Sequence, residues 1–241
     1  MSVGKNKNKK PNQKTKKSTG IVVAIACALS IIAAIGFITY RISNRPHRMY
    51  PSGGCARTGS CVDKPILYLY PTEETNVNVS FSKPAQLTTT YPKYYGGWSV
   101  KAMPNGNIYD LSGQEYYALY WEEQSNYMPD QSTAFYVTSD NAIEFLEEKL
   151  EYIGLNDRER NEFIMYWLPI LESNEQSIVR FAFTEELQAD NKLNISPAPD
   201  SLLRVRIFVE KVEENPNLPE PTLRHFERKG FAAIEWGGTK Q

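Results

Sequence analysis

A chain of 241 residues allows for one or two domains. Its composition, 41% hydrophobic and 23% charged, excludes a disordered or collagen-like polymer. The net charge of −1 hides a segregation: residues 1–20 carry seven lysines and no acid, whereas residues 41–241 hold 20 basic and 28 acidic residues, a net of −8. So acidic a region excludes nucleic acid as a partner, because binding phosphate takes a basic face.

The head (Lys5, Lys7, Lys9, Lys10, Lys14, Lys16, Lys17) is too polar to bury a core, which predicts a disordered tail over residues 1–20. Ile21 to Tyr40 then runs twenty residues without a charge. A helix of that length extends about 30 Å, the thickness of a bilayer's hydrocarbon. Seven lysines precede the span, and Arg41, Arg45 and Arg48 follow it. The heavier cluster should stay cytoplasmic and send the remainder outside. A cleaved signal peptide would want a shorter apolar region and a small-x-small site, which Phe37-Ile38-Thr39-Tyr40 does not offer. Cys27, with only six apolar residues before it, does not fit a lipoprotein and reads as inert within the span.

Residues 41–62 mix Pro, Gly, Ser and Arg and read as a stalk. Beyond the span the only cysteines are Cys55 and Cys61. Outside the cytoplasm thiols are usually oxidised, so the expectation is a disulfide closing a short loop. A redox pair is normally spaced C-x-x-C, and zinc would need more ligands than His47 and His225 supply.

From residue 63 the composition is that of a packed domain extending to residue 241. Ile66 to Tyr70 is apolar throughout, predicting a strand covered on both faces and stopped by Pro71. Val77, Val79 and Phe81 alternate with polar residues, as do Trp98, Val100 and Ala102. Leu87, Thr89 and Tyr91 are expected to point inward from another strand. Turn signals at Pro104-Asn105-Gly106 and Ser112-Gly113 predict an antiparallel meander of Trp98–Met103, Asn107–Leu111 and Glu115–Glu122. In its last strand Tyr117, Leu119 and Trp121 should share one face.

Ala142, Ile143, Leu146, Leu150 and Ile153 then recur at helical spacing, with Gly154 placed to end the helix. Asn156 and Glu159 form a capping box for a second helix, whose stripe is Phe163, Ile164, Trp167, Leu168 and Leu171. Pro169 predicts a kink or an early end. Strands return around Val179, Phe181 and Phe183, around Leu203, Val205, Ile207 and Val209, and over Phe231 to Trp236. Glu214 to Pro221 is a proline-rich surface connection. The fold class that follows is α+β: an N-terminal transmembrane helix, then a mostly antiparallel β domain with an inserted helix pair.

No Walker loop, G-x-G-x-x-G, H-E-x-x-H or G-x-S-x-G is present, and His225 sits among charges after a proline-rich linker. Neither a metal site nor a cofactor is expected. The residues left to consider for catalysis are carboxylates beside aromatics: Glu122, Glu162 and Glu235. A glycosidase needs two carboxylates across a sugar, one held protonated by an apolar wall. The competing reading makes the neighbouring tryptophans core and the glutamates rim residues or arginine partners. Tyr95, Trp98, Tyr116, Tyr120 and Tyr166 are the aromatic candidates for ligand contact, and Gly96-Gly97 gives the loop carrying Tyr94 and Tyr95 its flexibility. Asn78-Val79-Ser80 and Asn194-Ile195-Ser196 match the glycosylation sequon, which matters only in a eukaryotic secretory route.

Five stretches carry a resemblance: KPILYLYP (Lys64 to Pro71), TYPKYYGGWSVKAMPNG (Thr90 to Gly106), EYYALYWE (Glu115 to Glu122), NEFIMYWLPILE (Asn161 to Glu172) and ERKGFAAIEWGG (Glu227 to Gly238). Through them the chain resembles a family of extracytoplasmic bacterial proteins without an assigned activity, over nearly all of residues 64–238. The resemblance implies a bacterial, surface-exposed domain behind a signal or anchor, and no catalytic residue. The reading is a single-pass cell-membrane protein whose non-enzymatic outer domain binds an envelope protein or cell-wall glycan through aromatic surface. The alternatives are a membrane-tethered hydrolase of envelope glycan and a purely structural role in assembly.

Overall fold

The computed structural model describes residues 60–241. The lysine-rich head, the expected membrane span and Cys55 lie outside those residues, and with them the expected cystine. Among the described residues no helix is long and apolar enough to cross a membrane.

Among the described residues twelve strands form two sheets, mostly antiparallel, with few helices: a mixed α+β fold. In chain order the strands are β1 Ser60–Tyr70, β2 Thr75–Phe81, β3 Leu87–Tyr91, β4 Trp98–Ala102, β5 Ile108–Tyr109, β6 Glu115–Tyr116, β7 Leu119–Ser125, β8 Phe135–Thr138, β9 Gln176–Ala182, β10 Leu193–Ser196, β11 Ser201–Lys211 and β12 Ala232–Lys240. The helices are α1 Ala142–Ile153, α2 Asp157–Asn174 and α3 Thr184–Asp190. A seven-stranded sheet has the order β3-β7-β1-β12-β11-β9-β8, and a five-stranded sheet the order β10-β2-β4-β5-β6.

The larger sheet is the middle layer. One face carries Ile66, Tyr68, Val205, Ile207, Ile234 and Trp236 against α1 and α2. The other carries Leu67, Leu69, Leu119, Trp121 and Ala233 against the inward side of the smaller sheet. This explains why Ile66 to Tyr70 is apolar at every position: β1 is central and loses water on both faces. The ladder starts earlier than the composition suggests, for Ser60 already pairs with Ser125 and Val62 is buried. A bulge between Val62 and Ile66 puts Lys64 at φ +52 and its ammonium 5.1 Å from the Tyr166 ring centre.

Helix boundaries follow their chemistry. Gly154 ends α1 at φ +108, a conformation that costs glycine nothing. The Asn156 side chain accepts from the Glu159 N–H at 3.0 Å, and Glu159 accepts from the Asn156 N–H at 3.0 Å, the reciprocal box that starts α2. Such a cap contributes about 1 kcal/mol. Pro169 does not end α2, which runs on to Asn174 with Leu171 buried beyond it. Burial of Trp167 and Leu171 on either side of the proline holds that last turn against the missing N–H.

Several expectations need correction. Thr89 and Tyr91 point to solvent, because the register slips between Leu87 and Thr89 and only Leu87 stays inside. The third meander strand is two strands: β6 completes the smaller sheet, while β7 crosses to the larger one. Tyr117 falls at that crossing and is exposed instead of sharing the buried face of Leu119 and Trp121. Ile143 is half exposed, and Phe145 takes its place in the core. β12 runs to Lys240, and α3 had no apolar periodicity to announce it.

β11 and β12 are the parallel pair, joined by residues 212–231 without helix or strand. That connection is fastened to the helices by the Phe226 N–H on the Ile153 carbonyl at 3.1 Å and by an Arg228–Glu159 ion pair. Leu223 and Phe226 pack on the helix-side core.

Candidate functional site

The structure sorts the sequence-selected residues into three places. Tyr95, Trp98 and Tyr116 come together and line one open cleft of 480 Å³ on the smaller sheet, with Pro92, Lys93, Ser99, Asp110, Leu111 and Ser112. Tyr95 stands on the loop before β4 and is 88% exposed, while Leu111 on the facing β5–β6 turn is 90% exposed. Apolar groups this bare on opposing loop tips are the kind of surface that marks a binding site. Trp98 is the floor rather than a stacking platform. It is buried, its Nε1–H donates to the Pro92 carbonyl at 2.8 Å, and Tyr94 meets it edge-on at 4.9 Å.

The opposite wall is set by a turn. Asp110 accepts the Ser112 N–H at 2.8 Å, the Ser112 hydroxyl at 2.6 Å and the Gln114 N–H at 3.0 Å. These bonds, the Ser112 hydroxyl foremost, hold its carboxyl below the usual range. The Tyr116 hydroxyl donates to the other Asp110 oxygen at 3.3 Å, and the Tyr91 ring packs edge-on against Tyr116 at 5.5 Å. Burial, and then the Asp110 charge, raise the Tyr116 phenol. The cleft therefore presents the held Tyr116 ring and the bare Tyr95 ring between hydroxyls and a carboxylate already occupied by its own turn. The sequence marked Ser112-Gly113 as a turn but did not mark Asp110, Leu111 and Ser112 as site residues, although the turn carries an apolar residue at its tip.

Tyr120 and Tyr166 lie elsewhere, on the helix side of the larger sheet. The Tyr120 hydroxyl donates to Glu122 Oε1 at 2.6 Å, and Tyr166 meets Trp167 edge-on at 5.2 Å. Burial, then the charges of Asp63 and Glu122, push the Tyr166 phenol up to about 12. Glu162 accepts the Tyr68 hydroxyl at 2.8 Å and the Arg158 Nε–H at 3.3 Å. The Trp236 Nε1–H donates to the Tyr68 oxygen at 3.2 Å, so the phenol is fixed from both sides.

Glu235 is on the opposite face of the same sheet. It is sealed from solvent and ion-paired to Arg204. Beside it runs a second buried pair, Arg206 with Glu123 at 2.6 Å, where Asn191 donates to Glu123 at 2.8 Å and Asp190 stands 3.8 Å from Arg206. The three glutamates thus do not converge: Glu122 and Glu162 are on one face, and Glu235 is the counter-ion of an internal arginine on the other. The even alternation of β11 concealed this, since Arg204 and Arg206 occupy positions that read as outward. Among the described residues no three His, Cys, Asp or Glu side chains gather as metal ligands.

The tyrosines make alkaline pH a readout of packing. Tyr68, Tyr70, Tyr120 and Tyr166 all have raised phenols, burial being the first cause in each. The folded state favours the neutral phenol, so their contribution is complete below the ordinary value of about 10. It is lost as pH rises through the folded values, for Tyr166 between about 10 and about 12. In a titration followed by tyrosinate absorbance and near-ultraviolet circular dichroism, part of the 15 tyrosines should ionise only as the tertiary signal collapses. Ionisation of every phenol near pH 10 with the fold intact would contradict this packing.

Comparison with known protein families, with curated proteins and with solved structures finds no match to the chain.

Proposed function

We propose that this is a single-pass protein of a bacterial cell membrane, with a cytoplasmic amino terminus and an outer domain that binds cell-wall glycan without chemical turnover. The anchor rests on the lysine-rich head and the uncharged span Ile21 to Tyr40, and the bacterial envelope on the motifs from KPILYLYP to ERKGFAAIEWGG. The observation that carries the binding reading is the gathering of Tyr95, Trp98 and Tyr116 in one open 480 Å³ cleft. Tyrosine rings, with only two side-chain torsions to order, offer apolar faces to sugar C–H groups, and the hydroxyls around them suit sugar hydroxyls. Against hydrolysis stands Glu235, which is held by Arg204 away from Glu122 and Glu162.

The test is co-sedimentation of the full chain, in detergent micelles, with purified insoluble wall glycan. Retention is expected, and Tyr95→Ala should weaken it by about 2 kcal/mol, the size of an interface hot spot. Tyr95 is too exposed for its removal to unfold the domain. Glu162→Gln should leave retention unchanged. Release of soluble glycan by the wild-type chain, abolished by Glu162→Gln, would replace the binding reading with the hydrolytic one.

A further inference from the structure

The aromatic cleft does not end at Leu111. A second open groove of 390 Å³ adjoins it, reached by Asn76, Asn78, Lys101 and Tyr109, and the two share Ser99, Val100, Asp110 and Leu111 as a common wall. The floor of this second groove is the outward face of the smaller sheet, where register sets side chains abreast across strands, whereas Trp98 and Tyr116 reach the first cleft from the sheet's inward side. Asn194 lies opposite Ser80, Asn78 opposite both Ser196 and Ser99, Asn76 opposite Lys101, and Lys101 opposite Tyr109. The two sequon-like triplets are therefore adjacent rungs of one ladder of amides and hydroxyls. Asn78 already accepts the Ser99 hydroxyl at 2.7 Å, which fixes its amide with the NH₂ free to donate.

The charges in this face are spoken for. Lys101 is paired to Glu74 at 2.8 Å. Glu115 accepts the Tyr109 hydroxyl at 2.6 Å and the Asn107 amide at 3.1 Å. Asp110 is filled by its own turn. Lys93, at the aromatic end, is the one lining cation with no ion-pair partner among the described residues. Apart from the Lys93 ammonium at the aromatic end, what remains for a ligand along the groove is neutral donors, neutral acceptors and tyrosine rings.

Resting on the binding reading above, we infer that the two clefts, joined by their shared wall, are one continuous groove with at least two subsites for an uncharged, extended oligosaccharide. The chain runs from Tyr95 and Tyr116 across Leu111 to Asn76 and Asn78. The strands β2, β4, β5 and β6, spaced about 4.8 Å apart, span about 14 Å, longer than a single sugar ring. Occupying both ends with one chain makes the second contact intramolecular, so affinity grows with ligand length.

The experiment is calorimetric titration of the full chain in micelles with neutral N-acetylglucosamine oligomers of two, four and six sugars, and with poly(glycerol phosphate) as an anionic polymer. The hexamer should bind at least about tenfold tighter than the dimer. Asn76→Ala combined with Asn78→Ala, both at exposed positions, should remove that gain and leave dimer binding unchanged, with circular dichroism confirming the fold. Tyr95→Ala should weaken every oligomer. Equal affinity for dimer and hexamer, or a length dependence that survives the double variant, overturns the two-subsite groove and leaves the binding reading standing. Preference for the phosphate polymer, or retention on wall glycan with no oligomer bound, overturns the neutral ligand alone. Failure of wall glycan and oligomers alike overturns the binding reading itself.

Discussion

Arg204→Ala is expected to destabilise the domain by about 3–5 kcal/mol, the usual result of removing one partner from a buried ion pair. Arg204 and Glu235 are both sealed from solvent. The guanidinium does more than neutralise Glu235. Its Nη1 donates to the Leu187 carbonyl at 3.0 Å, to Gln188 Oε1 at 3.0 Å and to the Asn191 carbonyl at 2.8 Å. It thus satisfies carbonyls at the end of α3, where the helix dipole also favours a cation. Alanine leaves a carboxylate without its counter-ion and those carbonyls without a donor. Arg204→Met together with Glu235→Leu should recover most of the loss, because the charge and its desolvation cost disappear together. Urea midpoints at constant slope measure both effects. A loss under about 1 kcal/mol for Arg204→Ala would mean that water reaches the pair.

Trp167→Ala should cost a similar amount, about 3–5 kcal/mol, by opening a cavity between α2 and the sheet. The indole is fully buried, with Phe163 at 6.3 Å between ring centres, and it lies directly over Gly238 of β12. A Cβ built on Gly238 would sit 2.6 Å from Trp167 Cη2 and nearer still to Cζ2 and to Ile207 Cγ2. Gly238→Ala alone should therefore cost about 1–3 kcal/mol through overpacking. In the Trp167→Ala background the clash with the indole is gone and Ile207 can shift into the vacated space, so the two losses should fall short of adding, by about 0.5–3 kcal/mol. Strict additivity would show that the ring and the glycine do not touch.

How far the fold could be read from the residues depended on whether their signals were local. The Asn156–Glu159 box, the Gly154 stop and the apolar run of β1 are decided by neighbours within a few positions, and each is found where expected. Assignment of strands to sheets is not local. Nothing between Tyr116 and Leu119 tells that the chain leaves one sheet for another, and the arginines of β11 alternate as outward residues would until α3 covers them. The candidate site shows the same division. Tyr95, Trp98 and Tyr116 were legible as aromatics near turns, but their shared cleft depends on β6 folding back beside β5. Glu235 was legible only as a carboxylate beside a tryptophan, since its partner lies 31 positions away.

The place of β12 has a consequence for how the molecule is made. It follows every other strand in chain order, yet fills the gap between β1 and β11. Until it arrives, β3-β7-β1 and β11-β9-β8 are separate halves with raw backbone edges facing one another. A chain synthesised from its amino end must hold those edges apart from other chains until β12 is made, and the most distant pairing in sequence, Asp63 with Gly238, depends on that last strand. Assembly of this domain is thus expected to be a late and slow event, completed only when β12 can enter between the two halves.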